Sequence, residues 1–357
     1  MRIPGFNRAL SLLLVILSLV TLLCGCGGEN KLSGDFEIHF IDVGQADAAL
    51  VLCDGRAMLI DGGNVADSGL IYTYLKKYGV GHLDYVIATH PHEDHIGGLA
   101  GAINFATVDT VYCSTDAYDS TAFEDFRKYV AKRNAKIEVP CAGDSFTLGG
   151  ASVEIISCGG FEDENNSSIV LRIVYGETSF LFTGDAEREA EEAILERCAN
   201  LDSTVLKVGH HGADTSTIYP FLREVMPEYA VISVGVGNDC GHPSDKITSR
   251  LSDAGATVYR TDLGGTIICR SDGVGVEFEV YKTAGETATH ATEKVLETSP
   301  GATEVTYILN TNPSSKRFHK PTCKSVESIK EGNRKEFYGT RDEAIDLGYV
   351  PCGSCKP

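Results

Sequence analysis

From Phe36 onward, short apolar runs alternate with polar, glycine-bearing turns. "FEIHFIDVG", "AALVLCDG" and "RAMLIDGG" are rich in β-branched, aromatic and leucine positions, each closed by glycine, and predict strands ended by turns. Residues 72–78 predict a helix, and "LDYVIATH" a buried strand delivering His90 at its end. A helix is expected after Gly98. "SIVLRIVYGETSFLFTGD" reads as a hairpin around Tyr-Gly-Glu-Thr whose second arm ends on Asp185. Residues 186–199 predict a polar-faced helix, and "STVLKVGHH" a strand ending on histidines. A helix near 216–225, a strand "YAVISVG", a helix at 244–254 and a last hairpin, "TIICRSDGVGVEFEVY", complete the pattern. Strands that each end on a polar residue, separated by helices, imply a layered α/β domain with its site in loops along one edge.

Both ends of the chain depart from this pattern. Arg2 and Arg8 flank the start of an apolar run, 9–23, shorter than the ~20 residues of a membrane span. The Leu23-Cys24-Gly25-Cys26 that follows resembles a bacterial lipobox with Cys26 as the lipid acceptor, although Cys24 is unusual at its position. Residues 1–26 are therefore expected to be a lipoprotein signal and 27–34 a polar tether. That places the protein on the extracellular face of the bacterial cytoplasmic membrane, held by a lipid anchor; a plain secretory peptide and an uncleaved anchor are the alternatives. Residues 283–305 turn to Thr, Ala, Glu and Gly and read as a linker. It separates a large domain, 35–282, from a closing module, 306–357.

The net charge is −19, which disfavours non-specific binding of polyanions unless metals or a local patch offset it. From Thr306 onward nine Lys and Arg face six Asp and Glu, so the acid excess lies in the rest of the chain. Of twelve cysteines, Cys24 and Cys26 belong to the signal, and Cys323, Cys352 and Cys355 cluster at the far end. Cys53, Cys113, Cys141, Cys158, Cys198, Cys240 and Cys269 are scattered, mostly in apolar strand-like contexts, where a thiol packs as a small hydrophobe. Packed thiols are expected rather than a disulfide framework, as in an anaerobic source.

"THPHEDHIGG" concentrates His90, His92, Asp94 and His95 at the end of a strand. In a loop leaving a strand, alternate side chains share a direction, so His90 and His92 converge on one cation while Asp94 and His95 face a second. Imidazole with carboxylate suits zinc or manganese, whereas calcium takes oxygens. Asp185 and the pair His210-His211 lie at equivalent strand ends and supply the remaining ligands.

These residues resemble the metallo-β-lactamase superfamily, whose first metal motif is H-x-H-x-D-H. More narrowly they resemble the extracellular domain of ComEC-type DNA-uptake proteins. "HFIDVGQADAALV", "MLIDGG", "SFLFTGDAE", "VLKVGHHGADTST" and "NDCGHPS" fall in that branch's order. Ala46 departs from its usual glycine and Ala213 from its usual serine. The superfamily's third-motif histidine is missing, with "ENNSSIV" in its region. The resemblance implies an αββα sandwich with two divalent ions. His90, His92 and Asp185 would hold one; Asp94, His95, Asp185 and either His210 or His211 would hold the other. The first ion then has fewer protein ligands. Asp94, His211 and His242 are the expected catalytic residues, with His242 or the unligated member of the pair protonating the leaving group after attack by a metal-bridging hydroxide. Asp42 and Asp47 are expected to orient ligands, and Asp61 to fix a turn or orient a ligand. The expected function is an exported two-metal phosphodiesterase, a nuclease acting on DNA. A cell-wall (teichoic-acid-type) phosphodiester, a thioester or lactone, and a non-catalytic adaptor that binds DNA remain as alternatives, with no protein partner inferred.

In the closing module, His319 and Cys323 are spaced as one helical turn and Cys352-x-x-Cys355 completes a Cys₃His set, closed as in structural zinc sites. A disulfide between Cys352 and Cys355 is the alternative. So short a module needs such a staple. It resembles the Ada-type metal-binding domain, with histidine in place of one cysteine, so methyl transfer does not carry over. Its positive charge makes it the part expected to touch DNA.

Overall fold

The computed structural model describes residues 35–281, Cys198 excepted, and most of residues 305–355. The expected signal with Cys26, the tether, and the linker up to residue 304 lie outside the described residues.

Fifteen strands build two sheets: β1 (Phe36–Phe40), β2 (Ala49–Cys53), β3 (Arg56–Ile60), β4 (His82–Ala88), β5 (Thr107–Cys113), β6 (Ile137–Glu138), β7 (Ser145–Leu148), β8 (Ala151–Ser157), β9 (Val170–Tyr175), β10 (Thr178–Phe182), β11 (Val205–Lys207), β12 (Tyr229–Ile232), β13 (Thr257–Arg260), β14 (Thr266–Ser271) and β15 (Val276–Tyr281). The first sheet runs β15-β14-β1-β2-β3-β4-β5-β6 and the second β13-β12-β11-β10-β9-β8-β7. Period-two alternation explains how they meet. In β1, Phe36, Ile38 and Phe40 face the second sheet, with Phe36 stacked on Tyr175 and Phe180 and Phe40 on Phe182.

The outer faces bury equally apolar surfaces under helices. Ser68–Lys77, Leu99–Phe105 and Thr121–Lys132 cover the first sheet through Ile71, Leu75, Leu99 and Phe126. Arg188–Glu196, Tyr219–Val225 and Asp245–Asp253 cover the second through Ile194, Phe221 and Leu251. The result is the four-layer αββα sandwich that the resemblance implies. Local signals set the helix starts: Ser120 accepts the N–H of Phe123, and Ser244 that of Ile247.

Two expected helices are shorter than their apolar pattern. Residues 186–199 yield Arg188–Glu196, because Glu187 is extended and Asn166 Oδ1 accepts the N–H groups of Glu187 and Ala190. Residues 216–225 yield Tyr219–Val225, because the Glu191 carboxylate takes the N–H groups of Thr217 and Ile218. Tertiary acceptors replaced the helical ones.

In the second sheet β10, β11 and β12 are parallel, so the loops after them leave from one end. The loop after β4 joins them, with Ile169 N–H bonded to the Thr89 carbonyl. Glycines make this convergence possible. A Cβ on Gly98 would lie 1.9 Å from the Gly62 carbonyl oxygen, and one on Gly97 2.2 Å from Val65 N. Gly98→Ala is expected to destabilise the fold by roughly 3 kcal/mol or more, since backbone must move on both sides. Urea unfolding measures it, and a loss below ~1 kcal/mol would show the approach to be slack.

Candidate metal centre

Asp185, ending the β9–β10 hairpin and nearly fully buried, stands at the middle of the site. Its Oδ2 lies 3.3 Å from His95 Nε2, 3.5 Å from His211 Nε2, 3.7 Å from His210 Nε2 and 4.0 Å from His90 Nε2. His90 Nε2 is in turn 3.0 Å from His92 Nδ1. The short helix Glu93–Ile96 turns Asp94 and His95 inward, and Asp94 Oδ2 is 3.2 Å from His211 Nε2. One ligand atom each from Asp94, His95, Asp185 and His211 fit within 4.8 Å of one another. The geometry therefore distinguishes the pair: His211, not His210, joins Asp94 and His95, while His210 has Asp185 and Glu187 as its acidic neighbours.

Three of these imidazoles, His95, His210 and His211, are held from behind by a carboxylate. Asp61 lies 2.9 Å from His95 Nδ1 and also accepts both N–H and Oγ1–H of Thr89. Glu187 lies 2.8 Å from His210 Nδ1 and accepts the Thr215 hydroxyl. Asp47 Oδ1 lies 3.3 Å from His211 Nδ1. Such partners fix the ring and leave Nε2 facing the site. Asp42 is further out, accepting the Gly44 N–H at the turn after β1. "ENNSSIV", in the region of the missing histidine, supports the same strand end: Ser168 Oγ accepts the Asp185 N–H.

His210 and His211 both adopt left-handed φ, at 48° and 52°, a conformation uncommon outside glycine and found here at two consecutive residues. The loop is clamped by two buried side chains, and burial pushes the Glu191 carboxyl up to about 8. Glu191 holds the N–H groups of Thr217 and Ile218, and Arg250 donates to the carbonyls of Asp214, Ser216 and Thr217. Arg250→Met is expected to cost about 3 kcal/mol, because the buried carbonyls of Ser216 and Thr217 lose their donor. Thermal unfolding tests this; a stability unchanged within ~1 kcal/mol would exclude the clamp.

His242 lies at the rim, with its ring 5.8 Å from that of His210. Gln45 Oε1 accepts the Gly235 N–H, which turns the Gln45 amide nitrogen to His242 Nδ1 at 3.4 Å. Nδ1 is then the acceptor, and the ring hydrogen sits on Nε2. Burial lowers the pKa of His242, and the neighbouring His210 lowers it further.

The residues fit divalent cations. His95 Nε2 and Asp185 Oδ1 are buried with no hydrogen-bond partner among the described residues. Nitrogen and carboxylate donors together form a borderline set. Burial would raise the Asp94 pKa, but the His211 hydrogen bond and the charge of His95 bring it down to about 2. Burial would lower His211, yet Asp185 and Asp47 raise it to about 10. Such mutual demand for opposite charge marks a site built around charged occupants.

Residues 41–236 match the metallo-beta-lactamase superfamily. The chain belongs to that superfamily. Its relatives include "ComE operon protein 3" of Bacillus subtilis (strain 168), 29% identical over 270 residues, covering 70% of this chain and 35% of that protein. "Competence protein ComA" of Neisseria gonorrhoeae is 32% identical over 231 residues, covering 63% of this chain and 31% of that protein. The chain thus spans about a third of the length of these relatives, which are of the ComEC type that the motif order implied. Among solved structures, the metallo-beta-lactamase fold protein YhfI of Bacillus subtilis aligns with a TM-score of 0.45 at 16% identity, covering 65% of this chain and 98% of that one. The superfamily match ends before His242 and before the C-terminal module. No helix among the described residues is long and apolar enough to cross a membrane.

The C-terminal module has its own sheet, β18-β16-β17-β19, from β16 (Val305–Asn310), β17 (Arg317–His319), β18 (Arg334–Gly339) and β19 (Val350–Pro351). His319, Cys323, Cys352 and Cys355 bring one ligand atom each within 4.8 Å of one another. The expected helical turn between His319 and Cys323 is not there. His319 ends β17, and a turn bonded from Cys323 N–H to the Lys320 carbonyl carries the chain to Cys323, because the sheet pairing of β17 holds 317–319 extended. His319 Nδ1 is buried without a hydrogen-bond partner among the described residues, and three thiols with an imidazole form a soft tetrahedral set suited to zinc. The described cysteines are free of disulfides, with Cys53, Cys113 and Cys269 packed as apolar groups and Cys141 and Cys240 exposed.

Lys207, Glu187 and Gln45 were missed from sequence. Only Glu187, two residues beyond Asp185, carried a local signal.

Proposed function

We propose that the chain is an exported, lipid-anchored two-metal phosphodiesterase that cleaves DNA. The observation that carries this is the convergence of four imidazole nitrogens within 4.0 Å of one buried carboxylate oxygen, Asp185 Oδ2. His90, His92, Asp185 and His210 would hold one divalent ion, zinc or manganese, and Asp94, His95, Asp185 and His211 the other. Such ions acidify water and draw charge from a phosphoryl oxygen. His242, with its hydrogen on Nε2 at the rim, would donate a hydrogen bond to the departing oxygen, which would take its proton from water. The competence names of the relatives favour nucleic acid as the polymer. The C-terminal module, with a structural zinc on His319, Cys323, Cys352 and Cys355, would supply the basic surface that the acidic body lacks. Cys26 would carry the membrane anchor.

Turnover of bis-p-nitrophenyl phosphate, single-stranded DNA and a thioester by the metal-loaded full chain tests the reading. Metal-dependent hydrolysis of the first two is expected. Hydrolysis of the thioester alone, or none, would overturn it. The net charge of −19 favours one second reading, a small or cell-wall phosphodiester, which cleavage of the first substrate without DNA cleavage would select.

A further inference from the structure

Lys207 ends β11, three residues before the histidine pair, in a strand buried at every position. Its side chain is almost wholly enclosed, and a buried ammonium survives only when paired. Nζ donates to Asp47 Oδ2 at 2.7 Å and to the Val208 carbonyl at 3.1 Å. The other carboxylate oxygen, Asp47 Oδ1, faces His211 Nδ1 at 3.3 Å, beside the Ser233 carbonyl at 3.2 Å. Asp47 is also tied through its backbone: its N–H donates to the Asp94 carbonyl, and its own carbonyl accepts from Gly63. Behind Asp47 lies a small cavity of about 10 Å³, lined also by Asp61, Thr89 and Lys207, the volume of one water.

We infer that Lys207 is a positioning residue for the metal centre: it pins Asp47 so that the charge of the carboxylate favours the hydrogen that His211 Nδ1 gives to the Ser233 carbonyl, which leaves Nε2 facing Asp94 and Asp185. Two acceptors, Asp47 Oδ1 and Ser233 O, crowd Nδ1, so the ring must present its hydrogen there. The ammonium holds the second carboxylate oxygen and so keeps Asp47 from turning. Within the described residues, Asp47, Asp61 and His95 also bring ligand atoms within 4.8 Å of one another. Lys207 is the resident cation of that chamber and reserves divalent ions for the other face of the histidines.

The inference rests on the two-metal reading, and the test separates the two. Lys207→Met alone strands a carboxylate and Asp47→Asn alone strands an ammonium, so each single variant is expected to melt well below the native protein. The double variant Lys207→Met/Asp47→Asn is neutral and nearly isosteric. It is expected to recover most of the lost melting temperature but to bind zinc roughly 10–100-fold more weakly in competition with a chelator. A double variant with native stability and native zinc affinity reduces the pair to a structural bridge and overturns the inference. Should the double variant not fold, ¹⁵N NMR of the zinc-loaded native protein decides. A hydrogen on His211 Nδ1 with zinc on Nε2 supports the inference, and zinc on Nδ1 or a bare Nδ1 sinks it. If the native protein binds no metal in this domain, the two-metal reading itself fails first.

Discussion

Asp185→Asn is expected to leave the fold intact and to lower phosphodiester turnover on the order of a thousandfold, ~4 kcal/mol of barrier. The carboxylate is the common neighbour of His90, His95, His210 and His211, and among the described residues no other acid reaches all four rings. An amide has the same shape but no charge, and it turns an N–H₂ toward nitrogens that need an acceptor or a cation. The backbone is held independently, by Ser168 on the Asp185 N–H and Asn166 on the residues after it, so stability should fall little. kcat/KM on bis-p-nitrophenyl phosphate, metal content and melting temperature are the measurements. Native turnover in the folded variant would remove the two-metal proposal.

Stripping metal from the full chain is expected to unfold the C-terminal module. Its apolar core is split into two small groups, Ile308 with Val326 and Ile329 on one side of β16, and Tyr307, Leu309, Phe318 and Ala344 on the other. Such a core falls well short of the chain entropy it must offset. Structural zinc contributes an apparent ~10–16 kcal/mol in comparable small sites, more than enough to decide the balance. Cys323→Ser should act in the same way and lower bound zinc by one equivalent per chain. Limited proteolysis with mass spectrometry of residues 305–357 follows the module, while catalytic turnover reports the other domain. A module that stays protease-resistant without metal would mean that its four ligand residues are not its staple.

The histidine and aspartate clusters were legible because they are local. H-x-H-x-D-H is set by positions 90–95, and hairpins and strand ends follow from alternation and glycine, interactions that span a few residues. Asp61 shows where this stops. In "IDGG" it reads as fixing a turn or orienting a ligand, and nothing local says that its partner is His95, 34 residues away. Lys207 carries no signal of its own within "STVLKVGHH", yet it meets Asp47 across 160 positions. The helices at 186–199 and 216–225 came out short for the same reason, since Asn166 and Glu191 offered acceptors that periodicity does not register.

The amino-acid order alone determined the layered α/β class, the strand ends that carry ligands, and which residue types gather at the last module, since all follow from side-chain period and donor chemistry. Tertiary structure decided the division of labour. Which histidine of the pair joins Asp94, which carboxylate stands behind each ring, and which hydrogen His242 carries depend on two left-handed residues and on partners far apart in the chain. Only the packing of one sheet on the other fixes those distances.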